Sequence, residues 1–189
     1  MPESLKGKPL VWLCDTREPW PHPWTRFLAP GSQVRQATLE TGDWAIAGME
    51  NLVSVERKAH DLVNALGSER DRIEREWARS RNLASFAVVV EQSWENFVTA
   101  AHVERNFSLE SVEGTIAAWT RRYRIPFMFA GTTELAARWA IRFLLGGVTE
   151  LEDRLSRVRG ASSRSARAVA RAEIHDDEPE GVMGLNSPF

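Results

Sequence analysis

The chain has 189 residues, 43% of them hydrophobic, a length that fits one domain with a sizeable core and an appended tail. A formal net charge of −2 excludes a generic cationic nucleic-acid coat, so any phosphate-binding surface has to be a local patch. One cysteine excludes an internal disulfide, and no run approaches the roughly 18 apolar residues of a membrane span.

Residues 1–9 read as an N-terminal extension without an apolar core of signal-peptide length. The expectation is a soluble intracellular protein that is not secreted and has no membrane partner, placed in the cytoplasm or nucleoid of a prokaryote, or in the host cell if viral. Leu10-Val11-Trp12-Leu13-Cys14 is an apolar strand that runs into Asp15-Thr16-Arg17-Glu18, and Cys14 belongs to the core. Pro19-Trp20-Pro21-His22-Pro23-Trp24 follows, a loop stiffened by three prolines. Two readings of its indoles are open: a stacking platform for unpaired bases, or a cover for the edge of the core. His22, a lone histidine, receives no role.

A second strand is predicted from Thr41-Gly42-Asp43-Trp44-Ala45-Ile46, where Gly42 permits a tight turn before Asp43. A third, Leu52-Val53-Ser54-Val55, leads through Glu56-Arg57-Lys58-Ala59-His60-Asp61 into a helix at Leu62-Val63-Asn64-Ala65-Leu66. In an extended backbone residues two apart share a face, which places Glu56 and Lys58 together and turns Arg57 away. Asp15, Asp43 and Glu56 thus lie near strand ends. Such acids repel one another unless a cation or lysine intervenes, and a hard cation such as Mg²⁺ binds through one or two carboxylates together with phosphate and water. The residues read as a site for metal-assisted phosphodiester hydrolysis, with Lys58 orienting a water or stabilising charge on a phosphate. An ordinary surface ion pair is the plain alternative for Glu56 and Lys58.

Ser68 to Asn82 alternates both charges and reads as a solvated helical face. Phe86 to Val90 is a buried strand ending in Glu91, which is either one more acid near the metal or a cap for Ser93-Trp94-Glu95-Asn96-Phe97. Leu109, Val112, Ile116, Trp119 and Tyr123 recur at helical steps, and Arg121, Arg122 and Arg124 close that helix either against its dipole or on phosphate. Pro126 opens the next strand. Thr133 to Leu145 is helical and apolar nearly all round, so it lies deep in the core or forms a subunit interface. Gly146-Gly147 marks a domain boundary. The tail, 147–189, is expected to be partly disordered, with Arg154, Arg157, Arg159, Arg164, Arg167 and Arg171 ahead of Asp176, Asp177, Glu178 and Glu180.

Asp15-Thr16-Arg17-Glu18, Gly42-Asp43-Trp44 and Glu56-Arg57-Lys58-Ala59-His60-Asp61 together resemble the XPF-type nuclease domain, with its Asp-x-Arg-Glu, Gly-Asp-aromatic and Glu-Arg-Lys-x-x-x-Asp motifs. The resemblance covers about residues 10–146 and continues through Ala87-Val88-Val89-Val90-Glu91 and Arg124-Ile125-Pro126-Phe127. It implies an α/β, restriction-endonuclease-like mixed central sheet flanked by helices. It also implies Mg²⁺- or Mn²⁺-dependent cutting near branched, flap or junction DNA, in repair or recombination. Asp43 and Glu56 become the expected metal ligands, with Asp15 either a further ligand or an acid standing behind them, and Lys58 beside them as a catalytic group. Arg17, Arg57 and Arg70 are the expected DNA contacts, and Asp61 and Glu91 stand behind the ligands; Arg57 and Asp61 also read as structural pairs that position the strand. Arg70 enters only as the counterpart of an arginine in the family, and Glu74 departs from the glutamine that relatives often carry slightly later. The family also implies a homodimer through 133–145. The other reading is a catalytically silent partner that binds DNA and lends its interface to an active nuclease; such partners usually lose the acids, which this chain retains.

Overall fold

The structure, a computed structural model, describes residues 10–175, with side chains through Arg159. Residues 1–9 and the acidic end of the tail lie outside the described residues. Strands form at Val11–Asp15 (β1), Gln33–Ala37 (β2), Trp44–Ile46 (β3), Val53–Lys58 (β4), Ser85–Val90 (β5) and Phe127–Phe129 (β6). Helices form at Leu62–Ala65 (α1), Arg70–Ser80 (α2), Trp94–Arg105 (α3), Leu109–Tyr123 (α4) and Thr133–His175 (α5). The six strands make one mixed sheet in the order β2-β1-β3-β4-β5-β6. Its centre, β1-β3-β4, is antiparallel, whereas β2 joins β1 and both β5 and β6 join their neighbours in parallel. This is the expected α/β architecture.

Strand β2 is the element that hydrophobic patterning does not announce. Gln33, Arg35 and Gln36 are exposed, and only Val34 and Ala37 are half-buried. An edge strand needs few apolar side chains, because its partner strand supplies the hydrogen bonds and charged groups blunt its free side. On β5, by contrast, Ala87 to Val90 are fully buried because both faces of the sheet are covered there.

One face carries the main core. Val88 and Val90 of β5 pack with Leu62, Ile73, Trp77, Phe97, Trp119 and Tyr123 from the first four helices. Trp77 meets Trp119 edge-on at 4.7 Å, a pairing that adds about 0.5–1.5 kcal/mol beyond area burial. Ser93 and Ser108 cap α3 and α4 by accepting the Asn96 and Ser111 amides, each at 3.2 Å. Glu91 therefore does not cap α3. Helix α4 buries Val112, Ile116, Trp119 and Tyr123 as its periodicity predicts, although Leu109 remains half exposed.

Helix α5 turns Ala136, Ala137, Ala140, Leu144, Gly147 and Val148 inward, while Trp139 and Phe143 lie half-buried and stack at 5.1 Å. Gly146 and Gly147 lie within α5. A Cβ on Gly147 would stand 2.7 Å from Val53 Cγ1, so this glycine lets helix and sheet approach closely. The first compact unit ends at Thr149. From Glu150 the chain continues helical to His175. Among the described residues no helix is long and apolar enough to cross a membrane.

Candidate active site

The strand register alone brings the three acids of the motifs into one row. Cys14 pairs with Trp44 and Trp44 with Val55, so the next step outward sets Asp15 beside Asp43 and Asp43 beside Glu56. The Asp15 amide donates to the Asp43 carbonyl and the Asp43 amide to the Val55 carbonyl, both at 2.8 Å. Cross-strand neighbours share a face, and Glu56 and Lys58 pair with Val88 and Val90, which face the helices of the main core. The acids therefore emerge where the sheet meets α2, at the carboxyl end of β4.

Each acid has a distinct environment. Asp15 is enclosed: its Oδ1 accepts the Arg17 amide and guanidinium, and its Oδ2 accepts the Leu39 amide at 2.7 Å. Burial would raise its pKa, but the Arg17 side chain and the two amides outweigh this and hold it below the usual carboxylate range. With both oxygens engaged, Asp15 organises the turn after β1, and the ligand role expected for it is not what its bonds favour. Asp43 has one oxygen on the Arg57 amide at 2.8 Å. Burial first, and the neighbouring Glu56 second, push Asp43 well above the usual range. Glu56 is raised as well, because burial and the nearby Glu76 outweigh the pull of Lys58.

Lys58 Nζ lies 2.6 Å from Glu56 Oε1 and 3.8 Å from Asp61. Burial opposes its charge, but Glu56, Asp61 and Asp43 together raise its pKa, so it is an ammonium at neutral pH. Glu56 Oε2 is buried without a hydrogen-bond partner. Two adjacent, electrostatically strained carboxylates, one with an orphaned oxygen, form the donor set that a hard divalent cation satisfies. Among the described residues no group of three or more acids, histidines or cysteines is arranged to hold a metal, so the carboxylate pair would be completed by water or phosphate. A depression of about 480 Å³ opens beside it, lined by Asp43, Lys58, His60, Asp61 and Glu18.

A scan against protein-family models and a search of curated protein sequences give no match. Among solved structures, XPF from Aeropyrum pernix superposes with a TM-score of 0.54 at 22% identity, over 71% of this chain and 59% of that one. XPF from Aeropyrum pernix in complex with DNA gives 0.54 at 20% identity, over 75% and 66%. The fold is that of an XPF-type nuclease. This chain spans less than two thirds of the length of either solved chain.

On this XPF-type fold, Arg57 points away from the acids, as strand alternation requires. Its guanidinium donates to Glu18 at 2.9 Å and to Glu91 at 2.8 and 3.2 Å, and its side chain is 12% exposed. Arg57, expected on DNA, is thus held inside the protein. Glu91 also accepts from the Trp24 indole and the Thr133 hydroxyl, so it is a junction between β5, α5 and the loop after β1 rather than an acid beside the metal pair. Burial opposes its charge, yet Arg57 and Thr133 hold its pKa down.

Arg70 also has partners within the protein. It donates to Glu74 and lies over Trp119, tying α2 to α4. Glu74 accepts from Arg70, Arg122, Tyr123 and the Trp119 indole. Against the effect of burial, those bonds pull Glu74 down to about 2. Its departure from the family's glutamine therefore serves helix packing. Of the three arginines expected on DNA, Arg17 has a side chain that is 60% exposed, Arg70 41% and Arg57 12%; Asp61 is 57% exposed at the rim.

Two residues escaped the sequence reading. Glu76, buried on α2, acts electrostatically on Glu56 and on Arg17, and is bonded to Arg72 at 3.4 Å. Its place on the inner row with Ile73, Trp77 and Ser80 is a signal hidden among six other charges on α2. His22 is 1% exposed: its Nδ1 accepts the Trp24 amide and its Nε2 donates to Glu18. Cys14, as expected, is fully buried, and burial followed by Glu18, Asp43 and Asp15 pushes its thiol up to about 12.

Proposed function

We propose that the chain is a metal-dependent endodeoxyribonuclease that hydrolyses phosphodiester bonds near branched, flap or junction DNA. The observation that carries this reading is the buried Asp43-Glu56 pair, with its orphaned Glu56 Oε2, at the ends of the central strands of an XPF-type fold. Asp43 and Glu56 are the residues that would hold Mg²⁺ or Mn²⁺. The cation, when bound, supplies positive charge to the scissile phosphate and acidifies water. Lys58, already an ammonium, is unsuited to take a proton from the attacking water and instead offers N–H donors to the charge that grows on a non-bridging phosphate oxygen. Arg17 grips a flanking phosphate, and Asp15 holds it on one side. Asp61 keeps Lys58 turned toward Glu56.

End-labelled duplex, flap, fork and four-way junction DNA, incubated with Mg²⁺ and with a chelator, tests this. Incision of branched DNA only in the presence of metal is expected. Branched DNA that is bound but never cut would support the silent-partner reading instead, and that reading has to explain why the carboxylate pair and Lys58 are kept.

The same reading includes a homodimer. Leu135 is 54% exposed on α5, and the Trp139-Phe143 stack continues its row on the same helix. A two-fold contact would cover this row on both subunits at once. Sedimentation at micromolar concentration should show a dimer for the parent and a folded monomer for Trp139→Glu, because a carboxylate would then enter a desolvated interface. A monomeric parent would remove the dimer.

A further inference from the structure

The eight tryptophans do not share one fate. Trp12, Trp24, Trp44, Trp77 and Trp119 are buried and Trp94 and Trp139 half-buried, whereas Trp20 is 50% exposed. Among the described residues its indole makes no hydrogen bond, ring contact or cation contact. A single exposed tryptophan is unremarkable in itself. Its mounting is what sets this one apart.

Trp20 stands between Pro19 and Pro21, and each stem of the loop is fixed two residues away. On one side Glu18 is bonded to Arg57 at 2.9 Å; on the other His22 is buried, bonded to Glu18 at 2.8 Å and packed edge-on against Trp24 and Trp44. Trp24 in turn donates to Glu91. The prolines and this network leave the loop little freedom to lose, so the indole is presented at low entropic cost. Glu18 also lines the depression that holds Asp43 and Lys58, and two residues reach at most about 7 Å, so the backbone that carries the indole is within that distance of the depression's wall.

We infer that Trp20 is a stacking platform for an unpaired base of the DNA strand next to the scissile phosphate, and so a determinant of the preference for branched over continuous duplex DNA. The inference rests on the nuclease reading above. A lone indole is too small an apolar patch to seat a protein partner, but it matches the area of one base. Any base can stack on it, and only an unpaired base has a face free to do so. Trp20 thereby gives the proline-rich loop a function that the metal chemistry leaves unassigned.

The test uses the full chain as parent, Trp20→Ala and Trp20→Phe, with Ca²⁺ in place of Mg²⁺. The DNA probes are a flap and a plain duplex of equal length, the flap carrying 2-aminopurine at the first unpaired position. The parent should quench 2-aminopurine on binding. Trp20→Ala should lose that quenching and bind the flap about 10-fold more weakly, Trp20→Phe should recover most of both, and duplex affinity should stay the same in all three. All three should melt within a few degrees of one another, since the indole is half exposed and makes no hydrogen bond or ring contact among the described residues. If Trp20→Ala matches the parent on the flap, or loses equally on flap and duplex, the inference is overturned while the nuclease reading stands. A parent that binds neither DNA overturns the nuclease reading, and the inference falls with it.

Discussion

Asp43→Asn is expected to abolish cleavage, lowering the rate by at least about 10³-fold, while leaving affinity for branched DNA nearly unchanged. The amide keeps the shape of the side chain and can still accept the Arg57 amide, now at 2.8 Å, but it no longer offers an anionic oxygen to a cation. Calorimetric titration with Mn²⁺ should show the loss of metal binding directly, without reference to activity. The metal-free variant should also be more stable than the parent, by on the order of 1 kcal/mol, because an amide at this position carries neither the cost of burying a charge nor the repulsion with Glu56. That gain should disappear in a comparison made at saturating Mn²⁺. Glu56→Gln should lose activity to the same extent, whereas Lys58→Ala should lose at least about 10²-fold in rate and retain Mn²⁺ binding. Full activity in Asp43→Asn, or unchanged Mn²⁺ affinity, would remove Asp43 from the metal site.

The second large effect is structural and comes from a residue with no chemistry of its own. Gly42 has φ +84°, a conformation that costs other residues about 1–2 kcal/mol. A Cβ there would also collide with Ser54 Oγ and stand 3.1 Å from the Val55 carbonyl oxygen. Ser54 cannot easily withdraw, because its hydroxyl shares its one proton between the Thr41 and Trp44 carbonyls, at 2.9 and 3.1 Å. Gly42→Ala should therefore destabilise the protein by about 2–4 kcal/mol, measured by denaturant unfolding. Gly48→Ala is the control: φ is +83°, but nothing lies within 4 Å of the added methyl, so only the backbone cost applies. Any folded Gly42→Ala should also cleave poorly, because the peptide it displaces carries the Asp43 amide and carbonyl that align Glu56 and Asp15. Equal losses for the two variants would show that the contact with Ser54 relaxes freely.

The central strands, the four-turn amphipathic helix over Leu109–Tyr123 and the pairing of Glu56 with Lys58 are determined by local pattern. Strand alternation puts residues two apart on one face, helical steps collect Val112, Ile116, Trp119 and Tyr123 on one side, and both periods can be read without knowing any neighbour. What those patterns leave open is the partner of each side chain, which depends on the register between strands and the packing of helices distant in sequence. The motif arginines show this: Arg57 and Arg70 look alike as candidate phosphate contacts, yet Glu91, 34 residues later, takes the first inward, and the second lies over Trp119, beyond the reach of any local rule. Glu76 is the converse case, a charge in a charged run that only the seating of α2 on the sheet turns toward Glu56. Gly147 has the composition of a linker and the position of a packing contact, because it is the approach of α5 to Val53 that leaves no room for a side chain. Trp20 and Trp24, four residues apart in one proline-rich loop, are indistinguishable by composition. The long-range bond from Trp24 to Glu91 buries one indole and leaves the other in solvent.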